Sequence, residues 1–305
     1  SVFSSFLLST KPGRAHSGNV VVDTIEGAKQ VIAMGPVAAL EIIKHFGTNG
    51  GGFLGANSST PIENPTIITN LIELYSMMLL PGACVITFGK MVRDRKREMV
   101  QAKSGLDEEQ AFESKSKIRK SITVWMYGRE GRSIFAAMGI IFLIGLSVCF
   151  WAESQGNPAL ADVGLSQSMG SMEGKEVRFG IAQSALFTTT TTSFTTGTVN
   201  NMHDTLTPLG GMIPMLHMML NVVFCGKGVG LMNMIMYAIL AVFICGLMIG
   251  RTPEYLGKKI EPFEMKMAVL CCLATPIVIL VGSCIAALLP STADSLNNAG
   301  AHGLS

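Results

Sequence analysis

The chain has 305 residues, 49% of them hydrophobic and only 14% charged, with a net charge of +2 and a mean hydropathy of +0.43. A typical soluble domain carries about 25% charged residues, so the composition excludes an ordinary soluble enzyme, and the small net charge gives no footing for nucleic acid. It reads as a membrane protein, with 20 Met and 33 Gly among its apolar bulk; Gly lets membrane helices approach closely. Cys84, Cys149, Cys245, Cys271, Cys272 and Cys284 fall in apolar runs without C-x-x-C or metal spacing, so they read as buried thiols and not as a disulfide framework. Ser1 is not an initiator and no signal peptide opens the chain, so the expectation is a piece of a longer protein.

Residues Ser1 to Val22 are Ser-rich and read as a loop. Ile25 to Phe46 holds a helix, with Ala38, Leu40, Ile42, Ile43 and Phe46 at helical spacing and Pro36 near its start, where a missing N–H costs little. Gly47-Thr48-Asn49-Gly50-Gly51-Gly52-Phe53 follows, then Gly55-Ala56-Asn57-Ser58-Ser59. A phosphate cradle would need a strand before it, a helix directly after it and ideally G-K-[ST]. Here Pro61 and Pro65 interrupt the chain instead.

Glu63-Asn64-Pro65 introduces an apolar span, Thr66 to Gly89, long enough for a hydrocarbon core of about 30 Å. Glu73 within it is expected as an outer-interface carboxylate near an aqueous vestibule, ahead of a role as an ion ligand. Lys90 to Arg132 carries 12 of the 23 Lys and Arg residues. By the positive-inside rule it is a cytoplasmic, solvated loop, with room for a helix over Leu106 to Arg119. Ile134 to Ala152 returns outward, and Glu153 to Arg178 is rich enough in acid to be an external loop.

Ile181, Ala182, Ala185 and Leu186 mark a second helix, followed by a run from Thr188 to Asn201 with no charge. Taken alone this run has two readings, an extended strand lining a water-filled cavity or a Thr-rich external loop. Its end, Thr195-Thr196-Gly197-Thr198, repeats the Thr-x-Gly of Thr48-Asn49-Gly50. Helix, Gly filter and Asn-rich exit therefore occur twice, as in a duplicated pore loop. A short segment with its carbonyls aimed one way can replace the water around a monovalent cation.

Leu206 to Phe224 and Val229 to Gly250 are apolar, separated by Cys225-Gly226-Lys227-Gly228. Two full crossings would put Arg251, Lys258, Lys259 and Lys266 outside, against the positive-inside rule. One crossing by a broken helix restores the parity. Lys227 then has two readings, an intramembrane cation that gates or repels ions, or a side chain that snorkels to an interface. Met267 to Leu289 crosses outward, leaving Pro290 to Ser305 outside.

GTNGGGF at Gly47–Phe53, ENPT at Glu63–Thr66, WAESQGNP at Trp151–Pro158, MEGKEVRFG at Met172–Gly180, VNNMHD at Val199–Asp204, TPLGGM at Thr207–Met212 and GRTPEYLGKKIE at Gly250–Glu261 together resemble the potassium-translocating A subunit of Kdp P-type ATPases. The resemblance implies an all-α polytopic membrane protein built from helix–pore loop–helix repeats around a pseudo-fourfold filter. On that reading residues 1–92 are the second repeat with an N-terminal loop, 93–132 a charged cytoplasmic loop, 133–262 the third repeat with its broken helix, and 263–305 the start of the fourth. The first and fourth filter strands are expected elsewhere, and Ala301 to Ser305 resembles the lead-in to the fourth pore helix.

The resemblance also implies potassium held by Thr48, Asn49 and Gly50 in one strand and by Thr195, Thr196, Gly197 and Thr198 in the next. Asn57 and Asn200 mark the filter exits, with Asn201, His203 and Asp204 beside the latter, His203 as an orienting hydrogen bonder. Gly226, Lys227 and Gly228 form the gating loop. The implied function is uptake of potassium through a cell membrane, with the ion passed to a P-type ATPase catalytic subunit and with small accessory subunits attached. No D-K-T-G-T, Walker A lysine or kinase set occurs, so the expectation is a non-catalytic subunit without an ATP site. The alternative is an ATP-independent potassium or sodium transporter with the same pore. Two departures from the family pattern stand out: residues 100–132 are longer than expected, and Leu220-Asn221 stands where Gly-Glu usually precedes Val-Val-Phe.

Overall fold

The computed structural model describes residues 19–55, 57–104 and 129–295. It opens on an antiparallel hairpin, β1 (Asn19–Asp23) with β2 (Lys29–Ala33), paired from Asn19 opposite Ala33 to Asp23 opposite Lys29. The hairpin corrects the expected loop and moves the start of the first helix to Met34. The cause is the β-branched run Val20-Val21-Val22, with Val20 paired to Ile32 and Val21 to Val31 across a Gly27 turn.

Helix α1 (Met34–Phe46) leads to the first Thr-x-Gly loop, and α2 (Ile67–Ser104) follows. The 38 residues of α2 extend about 57 Å, nearly twice a hydrocarbon core of about 30 Å. The helix thus runs on through Lys90 to Ser104, correcting the expectation of a loop from Lys90 onward. Its apolar part spans Ile67–Arg95 and the charged remainder projects beyond it. The helix expected over Leu106 to Arg119 lies outside the described residues.

Helix α3 (Arg129–Ser154) returns and packs along α2. The two touch where a Cβ on Gly131 would sit 2.5 Å from Gly89 Cα, the close approach that small residues permit in membranes. A short α4 (Pro158–Asp162) precedes α5 (Gly180–Ser193). Here the Thr run departs from the strand reading: Thr188 to Thr192 are helical and buried. Thr189 Oγ1 donates to Ala185 O at 2.8 Å and Thr192 Oγ1 to Thr188 O at 2.8 Å. Hydroxyls that bond one turn back give a buried Thr side chain its partner inside the helix, and a helix keeps its backbone bonds internal where no water can replace them.

A 3₁₀ turn (His203–Thr205) leads to α6 (Pro208–Leu220). Its 13 residues rise about 20 Å, too little to cross alone. Asn221 ends it in the left-handed region (φ 48°), and α7 (Val229–Ile249) takes up the path after the Gly-rich break. A two-residue hairpin, β3 (Glu254–Tyr255) with β4 (Lys258–Lys259), then precedes α8 (Pro262–Leu288) and α9 (Pro290–Ser295). Glu261 and Glu264 form a capping box at the start of α8.

The protein is a polytopic membrane protein. Four helices among the described residues are long and apolar enough to cross a bilayer: Ile67–Arg95, Glu130–Ser154, Val229–Ile249 and Pro262–Leu288. A core of Val85, Ile134, Met138, Phe194, Val222, Val223 and Phe224 joins α2, α3, the end of α5 and the helix break. In it Phe194 and Phe224 stack with ring centres 4.9 Å apart and planes 7° apart.

Candidate functional site

Both Thr-x-Gly loops start at the carboxyl end of a helix. Thr48 N–H donates to His45 O at 3.2 Å and Asn49 N–H to Lys44 O at 3.2 Å, while Thr196 N–H donates to Thr191 O at 2.9 Å. Each loop then adopts the same backbone pattern. Thr48 (φ 46°) and Gly50 (φ 73°) are left-handed with Asn49 between them on the negative side, and Thr195 (φ 48°) and Gly197 (φ 79°) flank Thr196 likewise. A left-handed conformation is costly for a β-branched residue, so two such threonines at matching positions are held by their surroundings. Alternation of φ sign turns successive peptide planes the same way, which aims successive carbonyls to one side.

The two loops meet. A Cβ on Gly50 would overlap the carbonyl oxygen of Thr196 and lie 2.9 Å from the carbonyl carbon of Gly197. Ser58 N–H donates to Val199 O at 2.9 Å, and Ser58 Oγ lies 3.3 Å from Thr198 Oγ1. Thr196 and Thr198 are buried, and Thr196 Oγ1 has no hydrogen-bond partner among the described residues. A buried oxygen of this kind is open to water or to a cation. Asn49 and Gly197 are exposed.

At the exits, Asn57 is left-handed (φ 54°), and Asn200 is buried and donates to Asn70 Oδ1 at 3.0 Å. Asn70 in turn accepts from Asn64 at 2.9 Å and donates to Gln183 Oε1 at 2.9 Å. Arg178 reaches across to the segment after the first loop, donating to Asn64 O at 3.1 Å and to Ser59 O at 2.6 Å. Asn201 Oδ1 accepts from Thr188 at 3.0 Å. His203 Nε2 has no hydrogen-bond partner among the described residues, and burial pushes its imidazole down to about 4, against the pull of Asp204.

The helix break closes against the other side of the two Thr-x-Gly loops. Cys225 N–H donates to Ser193 O and Gly226 N–H to Phe194 O, both at 2.9 Å, so the break caps the carboxyl end of α5. A Cβ on Gly226 would lie 2.8 Å from Thr195 Oγ1 and 3.5 Å from Thr48 Oγ1. Thr48, Thr195 and Gly226 are thus brought to one point. Lys227 is not part of that cluster; its side chain is exposed, and Gly228 (φ 96°) starts α7 behind it.

Several polar residues here are not among the site residues expected from sequence. Glu73 is buried and faces His45 Nε2 at 3.4 Å, which corrects the vestibule reading. Glu153 and Lys175 form a buried ion pair at 2.6 Å, and Glu153 Oε1 also accepts from Thr207 N–H at 2.9 Å and Thr207 Oγ1 at 2.7 Å. Glu153, Lys175, Arg178 and Asn64 all sit inside the motifs WAESQGNP, MEGKEVRFG and ENPT, which was the available signal.

The sequence matches the family described as potassium-transporting ATPase A subunit over residues 2–103 and 123–305. The unmatched residues fall within the charged segment expected to be longer than usual. The chain is 51% identical over 304 residues to a potassium-transporting ATPase potassium-binding subunit of Staphylococcus haemolyticus (strain JCSC1435), covering 100% of this chain and 49% of that protein. A subunit of the same description from Clostridium botulinum (strain Eklund 17B / Type B) is 51% identical over 284 residues, covering 91% and 43% respectively. One from Geobacillus kaustophilus (strain HTA426) is 48% identical over 286 residues, covering 94% and 45%. The chain spans about half the length of the curated relatives it matches, and it belongs to the potassium-transporting ATPase A subunit family.

Proposed function

We propose that this chain supplies the potassium-binding filter of an ATP-driven uptake complex in a cell membrane. Thr48, Asn49 and Gly50 line one quarter of the filter, and Thr195, Thr196, Gly197 and Thr198 line the next. The observation that carries this is the matched backbone of the two Thr-x-Gly loops, left-handed at Thr and at Gly in each and touching at Gly50 and Thr196.

The chemistry follows from the lining. These seven residues offer carbonyls and hydroxyls and no carboxylate, which suits a weakly hydrated monovalent cation; a divalent ion calls for carboxylates. The descriptions of the relatives support potassium as that ion and an ATPase complex as the setting. The repeats run as residues 1–92, 133–262 and 263–305, with a charged cytoplasmic segment at 93–132 that begins as the end of α2, and the break at Gly226 to Gly228 is the gate beneath the filter. On this reading the ion passes to a P-type catalytic subunit, which binds and hydrolyses ATP, with small accessory subunits attached. The chain itself carries the ion path and no ATP site.

The test is potassium-stimulated ATP hydrolysis and rubidium-traced uptake by the assembled complex in vesicles. Both are expected, with sodium failing to substitute. Ion flux that continues at full rate without ATP would favour the ATP-independent transporter.

A further inference from the structure

Behind the filter lies a closed cluster of ionisable groups. Glu41, Lys44 and His45 on α1 and Glu73 on α2 are each at most 2% exposed. Glu41, His45 and Glu73 have the spacing of a metal site, but Lys44 Nζ already sits 2.6 Å from Glu41 Oε1 and supplies the cation. What matters is how His45 is held. Its Nδ1 lies 2.7 Å from the backbone carbonyl of Glu41. A carbonyl only accepts, so Nδ1 carries the hydrogen and Nε2 is the ring atom left to reach other groups.

Nε2 lies 3.4 Å from Glu73 Oε2 and 3.3 Å from Ser58 Oγ, and Ser58 Oγ lies 3.3 Å from Thr198 Oγ1. Ser58 Oγ thus bridges His45 Nε2 and Thr198 Oγ1. The line Glu41 carbonyl, His45, Ser58, Thr198 therefore runs from the second-repeat helix into the third-repeat filter loop without a gap. The Ser58 N–H on Val199 O, at 2.9 Å, adds a second tie. Beside Thr198, a Cβ on Gly197 would meet nothing within 4 Å.

We propose that Ser58, with His45 behind it, is a positioning residue that sets ion discrimination by fixing the third-repeat filter loop at Thr198 and Val199. The proposal rests on the filter reading above. Carbonyls rank cations of equal charge only as far as their number and separation are maintained, and no other described hydrogen bond ties Thr198 or Val199 to the second repeat.

The experiment measures the potassium half-saturation and the potassium-to-rubidium preference of ATP hydrolysis in the full assembled complex. Losing one buried hydrogen bond in the line is expected to raise half-saturation about 5- to 10-fold in Ser58→Ala and to narrow the ion preference, with the maximal rate at saturating potassium retained. His45→Leu should do the same, and His45→Gln, which keeps an acceptor, should recover much of the loss. The double variant Ser58→Ala/His45→Leu should be no worse than the more affected single one, because both cut one line. If Ser58→Ala does not assemble, the isosteric Thr198→Val cuts the same link, with the same expected rise in half-saturation.

Unchanged half-saturation and preference in an assembled Ser58→Ala or Thr198→Val complex would overturn the proposal. So would a reduced maximal rate at unchanged half-saturation, or His45→Gln as impaired as His45→Leu. Gly197→Ser separates the two levels: if it shifts potassium dependence and Ser58→Ala does not, the tie fails and the filter stands. If neither does, the filter reading itself fails.

Discussion

Gly50 lies with its Cα against the Thr196 carbonyl, so closely that no side chain fits between them. Gly197, the matching residue of the other loop, has open space where a Cβ would go, so a side chain there is opposed only by the φ of 79°. The two glycines should therefore respond differently. Gly197→Ser carries a left-handed cost of about 1–2 kcal/mol, or about 5- to 30-fold in an equilibrium constant. Gly50→Ala adds to that cost the displacement of a filter carbonyl. Potassium half-saturation of the assembled complex should rise in both, and more in Gly50→Ala. The reverse order would mean that the two loops do not share a binding site.

The buried pair Glu153–Lys175 locks the segment before α5 to the start of α6. Both side chains are fully enclosed, and Glu153 also holds Thr207 at the helix cap. Removing one partner leaves an uncompensated buried charge, at about 3–5 kcal/mol. Lys175→Met should lower the unfolding temperature of the complex in detergent more than Glu153→Gln/Lys175→Met does. Potassium affinity of whatever complex remains should be unchanged. A double variant worse than the single one would show that the pair does not act as a pair.

Orientation is tested at two exposed turns. Ser166 lies in the acidic segment after α3, and Gly257 in the hairpin between α7 and α8, flanked by Lys258 and Lys259. The charge bias puts the first outside and the second inside. In sealed cells an impermeant thiol reagent should label Ser166→Cys and spare Gly257→Cys until the membrane is opened. The opposite pattern would invert the topology and undo the single broken crossing.

The sequence carried the spans, the duplicated Thr-x-Gly and the break near Gly226, because each is a composition or punctuation signal readable in one dimension. Thr188 to Thr192 misled because strand propensity is a weak prior, and hydroxyls that bond the preceding turn make a Thr run helical. Lys90 to Ser104 reads as loop when charge is taken as a boundary, whereas a helix can carry its charges out beyond the bilayer. Glu73 was hardest to read. Its burial depends on meeting His45 and Glu41 from another helix, and only three-dimensional pairing distinguishes that from an interfacial carboxylate. The ties at Ser58, Asn70 and Arg178 join residues up to 140 positions apart, beyond any local pattern.

The last prediction concerns the break itself. The carboxyl end of α5 is the negative end of its dipole and would face a cation arriving beneath the filter. Cys225 and Gly226 cover that end with two N–H donors, on Ser193 O and Phe194 O. The break is anchored further by Asn233, which donates to Asn221 O at 2.9 Å, and by the stacking of Phe224 on Phe194. A Cβ on Gly226 would press on Thr195 Oγ1 at 2.8 Å, so Gly226→Ala should push the break off the helix end, and Gly226→Val further. Lifting the two N–H donors returns two carbonyls to the ion and opens the path below the filter. Vesicles holding the complex should then leak potassium without ATP, more for valine than for alanine, with hydrolysis less tightly coupled to uptake. Asn233→Leu, which leaves the filter untouched, should leak in the same direction but less. Passive flux and coupling unchanged in all three would show that this break is a fixed bend in the helix and not a gate.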